Sequence, residues 1–184
     1  MWVSWVFFIV SVYSYTSCLE WAIHRHFMHA KSGWRHILMG KNHIEHHTNV
    51  KHDMTLDKMS PAGVRIGYKD TLRLAFVFFP GVFSINWMAG TDLSIFTIAV
   101  FSLIMPMIHN FMWNSIHSRI HSMNVKYSDG IPGNSRCPPC PSLYQFLLNN
   151  HTLHHHDSGC NYNIVFPGAD YLFGTFKNKT PLLD

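Results

Sequence analysis

Charge is scarce in this sequence. Asp, Glu, Lys and Arg make up 13% of its 184 residues, about half the share in an average soluble domain. No charged side chain precedes Glu20, so residues 1–19 form one uncharged run. A bilayer core takes about 20 apolar residues of helix, and this run is predicted to span a membrane. A secretory leader is the competing reading, but the start has neither a basic segment nor a small-residue cleavage site before Glu20. Cysteine is also sparse, at 4 residues. Cys137 and Cys140 in CPPC have metal-ligand spacing, yet no second pair completes a four-sulfur zinc site or an iron–sulfur cluster. A glycine-rich dinucleotide fingerprint is missing, which leaves no built-in nicotinamide or flavin site of that type. Basic residues form no clustered stripe, so the net charge of +4 gives no case for a nucleic-acid partner and fits an anionic leaflet better.

Two more uncharged runs follow, 74–90 and 93–113, parted only by Thr91 and Asp92. They predict a helical hairpin. All 14 Lys and Arg residues lie between Arg25 and Arg73 or between Arg119 and Lys179. Basic loops stay on the cytoplasmic side, so both blocks are expected there. The expected fold is all-α: one domain over residues 1–184 with three transmembrane helices and a cytoplasmic helical cap.

What the chain has in excess is histidine, at 15 residues. Every one is expected on the cytoplasmic side or, for His109, near the cytoplasmic half of the third span. His43, His46 and His47 stand at i, i+3 and i+4, as do His151, His154 and His155, and His117 and His121 are an i, i+4 pair. Helical residues at those spacings share a face, so each motif is expected to point two or three ring nitrogens at one place. His24 and His29 are five apart and share no face of a regular helix; they are expected to serve different metals or to straddle a helix end. His26, His36, His52, His109 and His156, taken singly, read as surface or interfacial rings with a wet tip. Four ordered motifs together point to metal, because neutral imidazole is the commonest metal ligand. An all-nitrogen site suits iron, zinc or copper rather than magnesium or calcium.

The order His-x4-His, His-x2-His-His, His-x3-His, His-x2-His-His resembles the fatty acid hydroxylase and sterol desaturase superfamily of integral membrane enzymes. The likeness extends to EWAIHRHFMH and to NYNIVFPGADYLFGTF, and so runs from Glu20 to Phe176. It implies two iron ions, replaceable by zinc in a purified sample, held on the cytoplasmic face by His24, His29, His43, His46, His47, His117, His121, His151, His154 and His155. It implies O2 as co-substrate and a C–H bond of a fatty acyl chain or sterol as the target, in the endoplasmic reticulum or a bacterial inner membrane. A hydrocarbon C–H bond offers no acid to ionise and no leaving group, so a redox metal has to carry the hard step. Electrons would come from a separate carrier, cytochrome b5-like or ferredoxin-like. Asn114 stands where many relatives place Asp, and Asn114, His156, Asn161 and Tyr162 are the candidates for orienting ligand rings.

Three other classes share parts of this pattern. A carotenoid-ring hydroxylase has a similar histidine pattern. A metal-transporting or metal-sensing membrane protein also uses histidine-rich loops, but the three predicted spans hold no ionisable residue near mid-bilayer to form a path. An inactive relative kept as an assembly partner is disfavoured by the intact motifs.

Overall fold

A computed structural model describes residues 2–51, 54, 65–121 and 141–178. Cys137, Cys140 and His52 lie outside these described residues. The elements are α1 (Trp2–Ile23), a π-helical turn (His24–Met28), α2 (Gly33–Arg35), a second π turn (His36–Gly40), α3 (Lys41–Asn49), α4 (Tyr68–Ala89), α5 (Ile95–Ile120), α6 (Pro141–His156) and α7 (Ala169–Leu172). Among the described residues there is no strand element, and three helices are long and apolar enough to cross a membrane.

Each long helix overruns its apolar segment. The sequence predicts spans at 1–19, 74–90 and 93–113, whereas the helices run to Ile23, from Tyr68 and to Ile120. The additions carry the polar residues. Asp70 and Arg73 form a 2.8 Å ion pair in the first turn of α4, and i, i+3 neighbours can do this without leaving the helix. Apolar length therefore bounds only the part that suits lipid, while hydrogen bonding continues the helix beyond it. One consequence is that His109 sits just past the midpoint of α5.

The α4–α5 turn is set by local chemistry. Gly90 closes α4 at φ +60°, a left-handed position that glycine occupies without a Cβ penalty. Asn86 Oδ1 accepts from Leu93 N–H at 3.1 Å and from Thr91 Oγ1 at 2.6 Å. Ser94 caps α5 by accepting from Thr97 N–H at 3.1 Å.

α1 packs on this hairpin through Phe8, Val12, Phe78, Val82, Ile85 and Ile98. The approach is close because position 81 is glycine: a Cβ there would lie 2.3 Å from the Tyr15 ring. Large apolar side chains face outward on all three helices, among them Trp2, Phe76, Phe96 and Phe111. A second packing zone joins α1 and α5 to the segment 160–170. Trp21 meets Tyr162 and Ala169, and Trp113 meets Ile164 and Val165.

Candidate metal centre

The ends of α1 and α5, with α3 and α6, gather ten histidines into two groups of five. His24, His29, His43, His47 and His154 form the first, and His46, His117, His121, His151 and His155 form the second. Within each group the candidate ligand atoms lie within 4.8 Å of one another, and either group could hold a metal ion.

Local backbone chemistry explains the membership. Five residues on an α-helix leave about 140° between two rings, yet His24 and His29 have ring centroids 5.1 Å apart. The π turn brings them together: His29 N–H donates to the His24 carbonyl at 3.1 Å, the i to i+5 bond that defines this geometry. Such turns recur at functional sites. Of the two expectations, different metals is corrected: the rings join one group, from either end of the π turn that closes α1, with His29 as its C-cap residue. Gly40 closes the second π turn against the backbone at Ala30, where a Cβ would come within 2.3 Å of the Ala30 carbonyl oxygen.

The two His-x2-His-His motifs do not converge as units. His43 and His47 enter the first group while His46 enters the second; His151 and His155 enter the second while His154 enters the first. Residues i and i+4 share a face, but i+3 and i+4 diverge by about 100°. Each motif thus straddles two adjacent groups, contributing two rings to one and one ring to the other. The groups abut: the His47 and His155 rings stack at 4.1 Å.

The donor set fits a cation. His43 Nε2 lies 2.9 Å from His24 Nε2, 3.2 Å from His29 Nε2 and 3.1 Å from His47 Nε2. In the second group, His121 Nε2 lies 3.2 Å from His117 Nε2 and 3.0 Å from His151 Nε2, which lies 3.0 Å from His155 Nε2. Nitrogens about 2.1 Å from a shared metal at right angles stand about 3.0 Å apart. Hydrogen bonds cannot account for all of these contacts. Nδ1 of His24, His121 and His154 donates to the carbonyls of Tyr162, Met54 (3.1 Å) and Cys160 (2.6 Å). A neutral ring has one proton, so each Nε2 presents a lone pair to its neighbours. Backbone carbonyls thereby orient these rings, the role that outer partners play at metal sites. Several remaining nitrogens, including both of His46, have no partner.

Burial keeps the rings neutral. It is the main cause that pushes His29 and His121 down to about 4, His154 to about 3 and His47 to about 2; Lys31 adds for His29 and neighbouring histidines add for His47 and His154. His43, His46, His151 and His155 are lowered by burial first and by neighbouring rings second. Neither group contains a carboxylate. Neutral imidazole is the metal-binding form. The metal-free chain should be acid-sensitive: below the ordinary histidine value of 6.5 the unfolded chain takes up protons that folded His29 and His121 refuse until about pH 4. Stability is then fully present above pH 6.5 and falls as pH drops towards 4. Thermal unfolding of chelator-treated protein at pH 7.5 and pH 5 should give a lower Tm at pH 5; equal values would mean the rings are solvated.

The four candidates for orienting residues part ways. Asn114 touches the backbone of Ile66, donating to its carbonyl at 3.0 Å and accepting from its N–H at 2.8 Å; it straps the chain before α4 to α5 instead of holding a ring. Asn161, in a left-handed conformation at φ +52°, uses its amide to join Asn150 to Lys177. Tyr162 acts through its carbonyl on His24, and its ring edges lie near His24, His29 and His154. His156 is half-buried and belongs to neither group.

Two buried carboxylates were not foreseen. Glu20 accepts from Ile164, Val165 and Phe166 N–H at 2.9, 2.9 and 3.0 Å, and from Asn163 Nδ2 at 3.4 Å. Asp170 accepts from Tyr162 and Asn163 N–H at 2.9 and 2.7 Å and from Thr175 Oγ1 at 2.7 Å. Together they fix the segment whose carbonyls at 160 and 162 orient His154 and His24. The only sequence signal was a lone Glu ending an uncharged run and an Asp between Ala169 and Tyr171.

The chain matches no protein-family model, no curated protein and no solved structure in the comparisons made.

Proposed function

We propose that this chain is an O2-dependent di-iron hydroxylase or desaturase acting on a C–H bond of a membrane lipid, in the manner of the superfamily its motifs resemble. The observation that carries this reading is the pair of abutting all-histidine groups beside an apolar cleft between helices that suit a membrane. Two irons held by the ten histidines would supply the one-electron chemistry that O2 needs to attack an unactivated C–H bond.

The chain's own residues have separate tasks in this proposal. His24, His121 and His154, fixed by carbonyls, present Nε2 lone pairs without rearrangement, which spares reorganisation on binding. Burial of both groups keeps bulk water from the reacting centre. The cleft, which reaches His43 past Leu19, Ile23, Leu74 and Phe78, would hold the hydrocarbon. The electron donor is a separate protein on the cytoplasmic side.

The transporter alternative gains an ionisable pair within the spans, since His109 Nε2 lies 3.7 Å from Glu20 Oε1. It gains no pathway, because the Glu20 oxygens are already filled by donors from the 163–166 segment.

Elemental analysis of purified protein should give two irons per chain, and expression in a host should produce an oxidised lipid only with O2 present. A chain without metal, or with metal and no O2-dependent product, overturns the reading. For topology, a reporter inserted at Asp92 should be exported and one fused after Asp184 cytoplasmic; an exported C-terminus would defeat the expectation of a cytosolic electron donor.

A further inference from the structure

The helix that carries His43, His46 and His47 has a second, uncovered side. α2, the second π turn and α3 run on without a break from Gly33 to Asn49. One side of this run is fixed by its contacts. His36 Nδ1 donates to the Ala30 carbonyl at 2.8 Å, Gly40 is buried against the backbone at Ala30, and His43 and His46 are buried in the two histidine groups. What is left over faces outward: Trp34 is 66% exposed, Ile37 82% and Leu38 39%. Singly such exposure is ordinary, but three large apolar side chains this close in sequence form a patch that calls for a partner.

The same stretch is basic. From Trp21 to Ile44 the chain carries Arg25, Lys31, Arg35 and Lys41 and no acidic residue. Arg25 lies over the Trp21 ring at 4.8 Å, away from the patch in sequence. Lys31, Arg35 and Lys41 are exposed and interleave with Trp34, Ile37 and Leu38.

Position narrows the partner. The apolar helix that begins at Trp2 ends at Met28, and only residues 29–32 separate it from Gly33. The His36–Ala30 hydrogen bond holds the basic run at that end. Leu38 and Met39 also line the cleft with Leu19 and Ile23 of α1 and Leu74 and Phe78 of α4, so the patch is continuous with the membrane-length helices. An acidic protein would meet the charges but leave Ile37 and Leu38 against a polar surface. A leaflet meets both needs in layers: acyl chains below, anionic headgroups above, and between them the boundary where Trp is enriched. Lys and Arg reach that upper layer on apolar stems.

We propose that the segment 33–41 lies in the surface of the leaflet where α1 ends, with Trp34, Ile37 and Leu38 in the acyl boundary and Lys31, Arg35 and Lys41 on anionic headgroups. The cleft wall at Leu38 and Met39 then meets lipid instead of water. This rests on the three helices crossing a membrane and not on the metal chemistry.

The test is photolabelling of the full chain in phosphatidylcholine nanodiscs doped with a diazirine-bearing phosphatidylglycerol or, at equal mole fraction, its phosphatidylcholine analogue, mapped by peptide mass spectrometry. The phosphatidylglycerol probe should label 33–41 at least about 5-fold more than the other, while both label α5 equally. The triple variant Lys31→Gln, Arg35→Gln, Lys41→Gln should bring that ratio within about 2-fold. Trp34→Glu with Ile37→Glu should cut labelling of the segment by about 5-fold or more and leave α5 labelling unchanged. All five positions are exposed, and α5 labelling reports on folding, so either variant set suffices if the other fails to fold. An unlabelled 33–41 beside a labelled α5, equal labelling by both probes, full labelling in the folded double-Glu variant, or cross-links joining two copies through this segment would overturn the proposal. Metal content on the same samples keeps the readings apart: an unlabelled segment in a chain with two irons overturns this proposal alone, and a labelled segment in a chain without metal sinks the di-iron reading alone.

Discussion

His154→Ala and His155→Ala, although adjacent in sequence, are expected to empty different metal positions. Each variant should fall from two bound ions to about one, and the double variant to none, with turnover at background in all three. The reason is the split of the motif: His154 belongs to the group with His24, His29, His43 and His47, and His155 to the group with His46, His117, His121 and His151. Removing one nitrogen from a five-nitrogen set opens a coordination position to water, and the loss exceeds the 10- to 100-fold typical of an outer-shell partner. His156→Ala, outside both groups, should keep both ions. If the double variant still holds one ion, the two rings serve the same metal and the partition is wrong. Elemental analysis with unfolding curves on each variant decides it.

Glu20→Ala should be the most damaging single change away from the histidines. It strips the acceptor from three consecutive backbone N–H groups at 164–166, and each buried donor left unsatisfied costs about 1–3 kcal/mol. The cost is expected to concentrate where the segment does its positioning. Tyr162, two residues from the first released N–H, supplies the carbonyl that holds His24, so the first group should lose its ion before the second does. A lower Tm together with a drop towards one ion per chain is the expected result. Unchanged Tm and full metal content in Glu20→Ala would show that the carboxylate is incidental. Glu20→Gln keeps the side chain's size and one acceptor oxygen, and should lie between the two.

Much of the architecture was legible because its causes are local. Apolar runs of about 20 residues declare membrane-length helices whatever surrounds them, and the short polar gap at Thr91–Asp92 declares the hairpin. The boundaries were short by several residues at Ile23, Tyr68 and Ile120 because a helix needs hydrogen bonds, not lipid, to continue. Asn114 was a candidate either for orienting a ligand ring or for plain helix surface, yet its partner is Ile66 across 48 residues of sequence, a pairing no spacing rule can see. Glu20 and Asp170 were passed over because a carboxylate looks the same in sequence whether it faces water or a row of backbone N–H groups.

By itself the sequence determined that ten histidines stand in four helically spaced motifs and that uncharged helices separate them, because residue type and interval along one helix are local quantities. Only the tertiary structure decided which ring meets which. A His-x2-His-His motif offers faces about 100° apart, and whether they meet one centre or two depends on what the other helices bring alongside. The π turn at His24–Met28 is decided the same way, since one extra residue per turn is stabilised only by the packing around it. So is the orientation of His24, His121 and His154, whose anchors are the carbonyls of residues 162, 54 and 160: every backbone carries such carbonyls, and only the fold selects three of them.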